Sequence, residues 1–223
     1  MFCSEECAIA GNKKFHQYEC PIVDSINELF TKVMRIVART FFEALDICHG
    51  SIDEMEELIK SNEGSSTTVF DCNFRNPDDP MKKKNLLMAI DALNTNEDGR
   101  THADLFQRAG VVAIMANLFK NQSPVKDLLR TEGNMDFFRR FLFKQSQISA
   151  SNYHSITGGV LSRSEVEENV QRGGGSFPFC SLINHSCAPN LVRSSYKTAN
   201  YVVVNRAIPA GGQLFDNYGS VIN

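Results

Sequence analysis

The sequence predicts an α+β protein, with a helical N-terminal and middle region followed by a small-sheet β core. Three observations indicate this class: apolar residues recur at helical spacing as far as residue 149, that spacing stops near Ser151, and β-branched and aromatic segments follow. We expect three parts, a cysteine-rich segment at 1–20, a helical region at 21–150 and the β-rich part at 151–223. A chain of 223 residues can hold one large domain or two small ones.

The helical pattern is clearest at 24–48, where apolar side chains recur every three or four residues along one face. Gly50 follows the end of this pattern, as glycine commonly does after a helix. Ser51 and Glu54 then form a capping box, which predicts that a short helix begins there and runs to about Asn62. Further helices are predicted at 81–94, 101–120, 124–130 and 134–149.

Extended structure is predicted mainly after Ser151. Before it, only 67–74 has an extended pattern. The run Arg172-Gly173-Gly174-Gly175 predicts a flexible hinge, because glycine restricts the backbone least. Strands are expected at 177–183, 191–197, 200–206 and 213–217.

Composition limits the classes of partner. The net charge of −3 gives no basic excess, so direct nucleic-acid binding is not expected. The sequence has no apolar stretch near the roughly 20 residues that a bilayer requires, so no membrane partner is expected. The first residues lack the basic and apolar parts of a signal peptide, which predicts a cytoplasmic or nuclear location.

Cysteine is concentrated at the N-terminus, where Cys3, Cys7 and Cys20 surround His16. A helix would place His16 and Cys20, four residues apart, on one face. A tetrahedral zinc site with three cysteines and one histidine is therefore one interpretation. Unlinked free thiols are the alternative. Three scattered cysteines are expected to be small buried apolar residues: Cys48, Cys72 and Cys180.

The C-terminal region carries the most specific pattern. An apolar run at 177–183 leads into Asn184-His185-Ser186-Cys187-Ala188-Pro189-Asn190, and Asp216-Asn217-Tyr218-Gly219 follows a second apolar segment. This order resembles the closing half of a SET methyltransferase domain. The segment Ser151-Asn152-Tyr153-His154-Ser155-Ile156 is similar to a further SET-region motif, Cys-Asn-Ala-His-Ala-Ile.

The N-terminal segment resembles the second half of a MYND zinc finger, on Phe2-Cys3-Ser4-Glu5-Glu6-Cys7 and His16-Gln17-Tyr18-Glu19-Cys20. In that family, Cys3 with Cys7 and His16 with Cys20 would complete two different zinc sites. A MYND finger followed by a SET core is the arrangement of the SMYD lysine methyltransferases. The motifs of this sequence are most similar to those of the type-four branch and its insect relatives. The resemblance covers 1–20 and about 150–219.

The resemblance implies an enzyme that transfers methyl from S-adenosylmethionine to a protein lysine. It implies that Asn184 and His185 contact the cofactor, partly through backbone groups, and that Asn152 binds its amino-acid portion or ribose. Tyr218 would be the catalytic residue and would also line the cofactor site. A narrow apolar channel would favour the neutral, nucleophilic lysine amine. Further protein partners would bind through the MYND-type region.

The resemblance also implies a third zinc site, at which Cys187 would join three later cysteines. Those cysteines, the first half of the finger and a glycine-rich cofactor loop fall outside 1–223. We therefore expect a fragment of a SET/MYND enzyme. The alternative is a non-catalytic scaffold for protein interactions, built on a degenerate SET/MYND region.

Overall fold

The computed structural model describes residues 4–29, 32–63, 81–160, 168–196 and 199–219. The chain divides into two compact units, Met1–Ser151 and Asn152–Asn223. Helices build the first unit and strands dominate the second, so the mixed α+β class is confirmed. No helix in the described ranges is long and apolar enough to cross a membrane.

The first unit begins with consecutive helical segments. The side chain of Ser4 accepts a hydrogen bond from the backbone N–H of Cys7 and so caps the first helix. The next segments follow without an extended break, so the cysteine-rich part is helical wherever the structure describes it. These segments are α1 (Glu5–Gly11), a π-helical turn (Asn12–His16), α2 (Gln17–Glu19), a 3₁₀ turn (Cys20–Ile22) and α3 (Val23–Leu29).

Five longer helices complete the first unit. Ser51 caps α5 through the N–H of Glu54, as predicted. The carboxylate of Glu54 pairs with His49 and Lys84, so the reciprocal half of the capping box is replaced by ion pairs. The predicted strand at 67–74 lies outside the described residues, and 124–127 forms a 3₁₀ turn. The helices are α4 (Lys32–Ile47), α5 (Ile52–Asn62), α6 (Lys82–Asp91), α7 (His102–Gln122) and α8 (Glu132–Asn152).

An aromatic cluster lies at the centre of the helical core. Phe41 of α4 meets Phe138 of α8 edge-on, with 4.5 Å between ring centroids. Phe42 meets Phe119 of α7 in the same way at 5.2 Å. All four side chains are buried, and edge-to-face contacts add to the free energy gained by removing their surface from water. The cluster therefore fixes three helices against one another.

A buried carboxylate attaches the N-terminal helices to α4. Glu19 is fully buried and accepts hydrogen bonds from Arg35 and Arg39, with N–O distances between 2.8 and 3.1 Å. The guanidinium of Arg39 also lies 3.9 Å from the ring centre of Phe15. Tyr18 stacks on Phe42 at 4.5 Å. A charged group that is buried must be paired, so these contacts define how the N-terminal segment packs.

The second unit begins with an antiparallel ribbon of β1 (Tyr153–Val160) and β2 (Glu168–Ser176). The predicted hinge at Arg172–Gly175 is wrong, because these residues belong to β2. The ring of Tyr153 lies over Gly174, where any Cβ atom would collide with it. The aromatic ring supplies the packing that a glycine in a strand lacks.

In the rest of this unit, the last strand returns to pair with an earlier one. The strand expected at 177–183 is wrong, since Pro178–Ser181 forms the short helix α9. Proline suits a first helical turn. Next come β3 (Asn184–His185), a hairpin of β4 (Leu191–Tyr196) and β5 (Ala199–Val204), and β6 (Phe215–Asp216). β4 and β5 are antiparallel, whereas β6 returns to pair with β3 in parallel.

Candidate functional site

The β3–β6 pair brings the two C-terminal motifs together. Asn184 lies opposite Phe215, and His185 lies opposite Asp216. Asn190 strengthens this junction. Its side-chain oxygen accepts from the N–H of Phe215 at 2.8 Å, and its amide donates to the carbonyl of Gln213 at 2.9 Å. Asn190 is buried, so these bonds are shielded from water and fix the returning segment.

Tyr218 follows β6 and is fixed at both its backbone and its hydroxyl. The hydroxyl donates to the carbonyl oxygen of Ile183 at 2.6 Å, and the backbone N–H donates to Nδ1 of His185 at 3.1 Å. The rings of Tyr218 and His185 lie 5.2 Å apart. The side chain of Tyr218 is nevertheless 60% exposed. A tyrosine that is both oriented and accessible can contact a second molecule.

The hydrogen bond from Tyr218 defines the tautomer of His185. Because Nδ1 accepts, the neutral ring carries its proton on Nε2. Nε2 lies 3.4 Å from Sγ of Cys187, which is exposed. His185 thus orients the backbone of Tyr218 through its side chain, a role that the sequence did not predict.

Arg193 binds the segment before Tyr218 at two points and also contacts His154. Its Nε lies 2.7 Å from a carboxylate oxygen of Asp216, Nη2 donates to the carbonyl of Asn217 at 3.3 Å, and Nη1 donates to Nδ1 of His154 at 2.7 Å. The carboxylate of Asp216 is almost fully buried and also accepts from the N–H of Asn217. The rigid planar guanidinium suits such simultaneous contacts.

His154 is a neutral acceptor in this network. Arginine can only donate, so Nδ1 of His154 is unprotonated and its Nε2–H points to the hydroxyl of Ser181 at 3.1 Å. That hydroxyl donates in turn to the carbonyl of Phe177. Burial lowers the pKa of His154, the positive charge of Arg193 lowers it further, and Asp216 opposes the change. The neutral imidazole is therefore the form that this site favours.

The sequence prediction did not include Arg193, although the sequence holds a signal for it. Leu191 and Arg193 lie on one face of β4, and Leu191 is buried while Val192 on the other face is half exposed. A charged residue two positions from a buried residue on the same strand lies on the same, inward-facing side. Such a residue needs a partner of opposite charge, and here that partner is Asp216.

The predicted cofactor residues all lie in the second unit. Asn152 is buried at the end of α8, immediately before β1. Asn184 and His185 are exposed on β3, which pairs with β6 along one edge. In the described part of the chain β3 has no strand partner other than β6. The hydrogen bond between Arg193 and His154 connects the Asn152 segment to the Tyr218 segment.

The predicted zinc ligands do not converge. Cys7 lies in α1, His16 in the π-helical turn and Cys20 in the 3₁₀ turn, and Cys3 lies outside the described residues. At a rise of about 1.5 Å per residue, Cys7 and His16 are separated by about 13 Å along the helical path. Zinc ligands lie within about 2.3 Å of the metal, so one ion cannot bind both. The described ligands therefore do not form a single site.

No cluster of three or more metal-binding side chains occurs among the residues that the structure describes. Cys187 has His185 as a neighbour, but no third metal-binding side chain joins this pair among the described residues. Zinc therefore does not fit the described residues as a complete site. The two half-sites implied by the MYND resemblance stay a prediction.

Comparison with known proteins identifies the family. A model of the SET domain family matches residues 51–219. The match covers well over half of the chain, and the chain therefore belongs to the SET domain family. It is also similar to "SET domain-containing protein 3" of Caenorhabditis elegans, with 34% identity over 83 residues. That alignment covers 37% of this chain and 17% of the worm protein, so the chain spans a small part of that relative's length.

Proposed function

We propose that this chain is part of a protein-lysine methyltransferase of the SET/MYND type, which uses S-adenosylmethionine. The observation that carries the proposal is the placement of Tyr218, exposed but held by Ile183 and His185 at the β3–β6 crossing. The SET family match, which includes this crossing, supports it. The substrate would be a lysine side chain of another protein.

The described residues fit the cofactor. Asn184 and His185 would bind it along the edge of β3 that pairs with no strand among the described residues, and the exposed amide of Asn184 adds a donor and an acceptor. Asn152 would contact its amino-acid portion or ribose. When bound, S-adenosylmethionine supplies a sulfonium-linked methyl group that an amine can displace.

Tyr218 would position the acceptor amine. Because its O–H is donated to the carbonyl of Ile183, the lone pairs of the phenol oxygen stay free to accept an N–H of the substrate lysine. The lysine must be neutral to act as a nucleophile, and its ordinary pKa of about 10.4 opposes this at neutral pH. An oriented dipole in a site that excludes water would hold the neutral amine in line for displacement.

Calorimetric titration of the full 223-residue chain with S-adenosylmethionine tests the cofactor assignment. We expect saturable binding with one site, weakened by Asn184→Ala. Asn205→Ala is the matched control, because Asn205 is also exposed but is bonded through its backbone to Asn190, and it should bind as wild type. Absence of binding would favour the alternative, a non-catalytic interaction scaffold.

The MYND part of the proposal rests on the sequence pattern of Cys7, His16 and Cys20. Metal analysis of the purified chain tests it. Zinc at or above one equivalent that is lost in both Cys7→Ser and Cys20→Ser would support the finger. Bound zinc that neither variant removes would contradict the MYND assignment and leave the SET assignment intact.

A further inference from the structure

We propose that Arg193 is a positioning residue that orients Tyr218, and that protonation of His154 releases this restraint. The inference rests on the proposed function, because the consequence of orienting Tyr218 is measured as methyl transfer. It adds two things to that function. Arg193 acts on the site through Asp216 and Asn217, and the same site gains a pH-sensitive control.

The geometry gives Arg193 control of the peptide that leads into Tyr218. Its guanidinium contacts both the carboxylate of Asp216 and the carbonyl of Asn217, and Asp216 also binds the N–H of Asn217. The backbone of Asn217 is thus fixed at its carbonyl by Arg193 and at its N–H by the carboxylate of Asp216. Tyr218 is the next residue, so rotation of the Asn217 peptide would displace its ring and hydroxyl.

His154 completes the restraint from a different strand. It accepts from Nη1 of Arg193 on β4 while its own N–H is held by Ser181 at the end of α9. The imidazole therefore aligns the guanidinium so that Nε and Nη2 face β6. Without this third contact the arginine could rotate about its terminal bonds, and the bond to the Asn217 carbonyl, at 3.3 Å, is the weakest of the three.

Protonation of His154 would remove the acceptor and introduce repulsion. An imidazolium has no lone pair for Nη1 of Arg193, and it would place two positive charges 2.7 Å apart. The charged groups that act on His154 are Arg193 on β4 and Asp216 on β6. Cys180 of α9 faces the same pair, and burial raises the pKa of its thiol, so it stays uncharged at neutral pH.

The sign of the pH effect follows from the direction of the shift. The pKa of His154 lies below its ordinary value of about 6.5, so the ring is neutral and the restraint is complete at pH 7 and above. As pH falls below about 6.5 and through the lowered pKa, the ring takes up a proton and Arg193 loses one contact. Tyr218 should then become less ordered.

Two-dimensional NMR of the full chain tests the inference without requiring activity. In Arg193→Lys the charge is kept, but one ammonium cannot make the three contacts of a guanidinium. We expect the amide signals of Tyr218 and Gly219 to shift and broaden. In wild type the same signals should move with pH at the midpoint of the His154 ring protons. In His154→Asn, whose amide oxygen can replace Nδ1 as a non-titrating acceptor, that movement should disappear.

Methyl transfer provides the second measurement. Misplacement of Tyr218 should lower kcat of Arg193→Lys by about 100-fold. Arg206→Lys is the matched control, since Arg206 is exposed and donates only to the carbonyl of Ala188; it should behave as wild type.

The two proposals fail in different ways. If the chain neither binds S-adenosylmethionine nor methylates, the proposed function fails, while the NMR result still decides the role of Arg193. Unchanged Tyr218 signals in Arg193→Lys would overturn the positioning role. A shift of these signals that keeps the wild-type His154 midpoint in His154→Asn would overturn the switch.

Discussion

The hydroxyl of Tyr218 lies 2.6 Å from the carbonyl oxygen of Ile183, a residue 35 positions earlier in the chain. The bond joins the residue just before β3 to a residue just after β6, so it closes the crossing of the two motifs. It also fixes the direction of the phenol O–H. The site is therefore organised around an oriented hydroxyl before any ligand is added.

Removal of that hydroxyl should abolish methyl transfer without unfolding the protein. Tyr218→Phe keeps the ring against His185 but removes the oriented dipole, and loss of one such group typically costs about 100- to 1,000-fold in kcat. Initial rates with a lysine-containing protein substrate measure the effect. Tyr201→Phe, on half-exposed Tyr201 of β5, is the control and should keep full activity. Wild-type turnover by Tyr218→Phe would remove the catalytic assignment.

Glu19→Gln should destabilise the helical unit strongly. The variant keeps the size of the side chain but removes the buried charge that pairs with Arg35 and Arg39. Because both arginines are partly exposed, they can recover some hydration, and we expect a loss of about 2–3 kcal/mol in the free energy of unfolding. Urea denaturation measures it. Glu43→Gln breaks the exposed pair with Lys14 and should cost less than about 0.5 kcal/mol; equal losses would show that burial of Glu19 is unimportant.

Phe41→Ala should leave a cavity in the aromatic cluster and cost about 3–5 kcal/mol of unfolding free energy. Phe41 is fully buried against Phe42, Phe138 and Phe141. Phe41→Leu, a smaller change, keeps the measurement possible if the alanine variant does not fold. The control is Phe106→Ala, since Phe106 is 82% exposed and should change stability by no more than about 0.5 kcal/mol. Similar effects at both positions would contradict the described core.

Thiol labelling at pH 8 should separate the described cysteines into two groups. Burial raises the pKa of Cys48 and Cys180, which lowers the thiolate fraction that reacts with an alkylating agent. With a metal chelator present, we expect slow modification at these two positions and rapid modification at the exposed thiols, as followed by mass spectrometry: Cys7, Cys20 and Cys187. In urea all should react at similar rates. Rapid labelling of Cys180 in the folded chain would contradict the packing around α9.

The helical unit could be predicted well from the sequence because its signals are local. The periodicity of α4 and the cap at Ser51 depend on residues within a few positions of one another. The run Phe177–Ile183 was predicted as a strand because a short apolar run has no period that distinguishes strand from helix. Burial of Cys180 and Ile183 satisfies the same hydrophobic signal in a helical turn.

The sequence predicts which motifs form the candidate site, but not the side-chain contacts that join them. Asn184, His185 and Tyr218 were identified by their order along the chain, and the structure adds that His185 binds the Tyr218 backbone. The Arg193 contacts and the cover that Tyr153 gives Gly174 join residues distant in sequence. Such pairings depend on strand register, which residue types alone do not define.

The parallel pairing of β3 with β6 has a consequence during synthesis. Asn184 and His185 emerge before the hairpin and before the residues that pair with them, and at 5–20 residues per second the remaining stretch to Tyr218 takes roughly 2–7 s to translate. During that interval the newly made motif has no strand partner, and the apolar side chains of Ile183 and Leu191, which are buried in the folded unit, are not yet covered. The β3–β6 pair can therefore form only after the hairpin and β6 have been made, and a chain cut within the hairpin would lack the site.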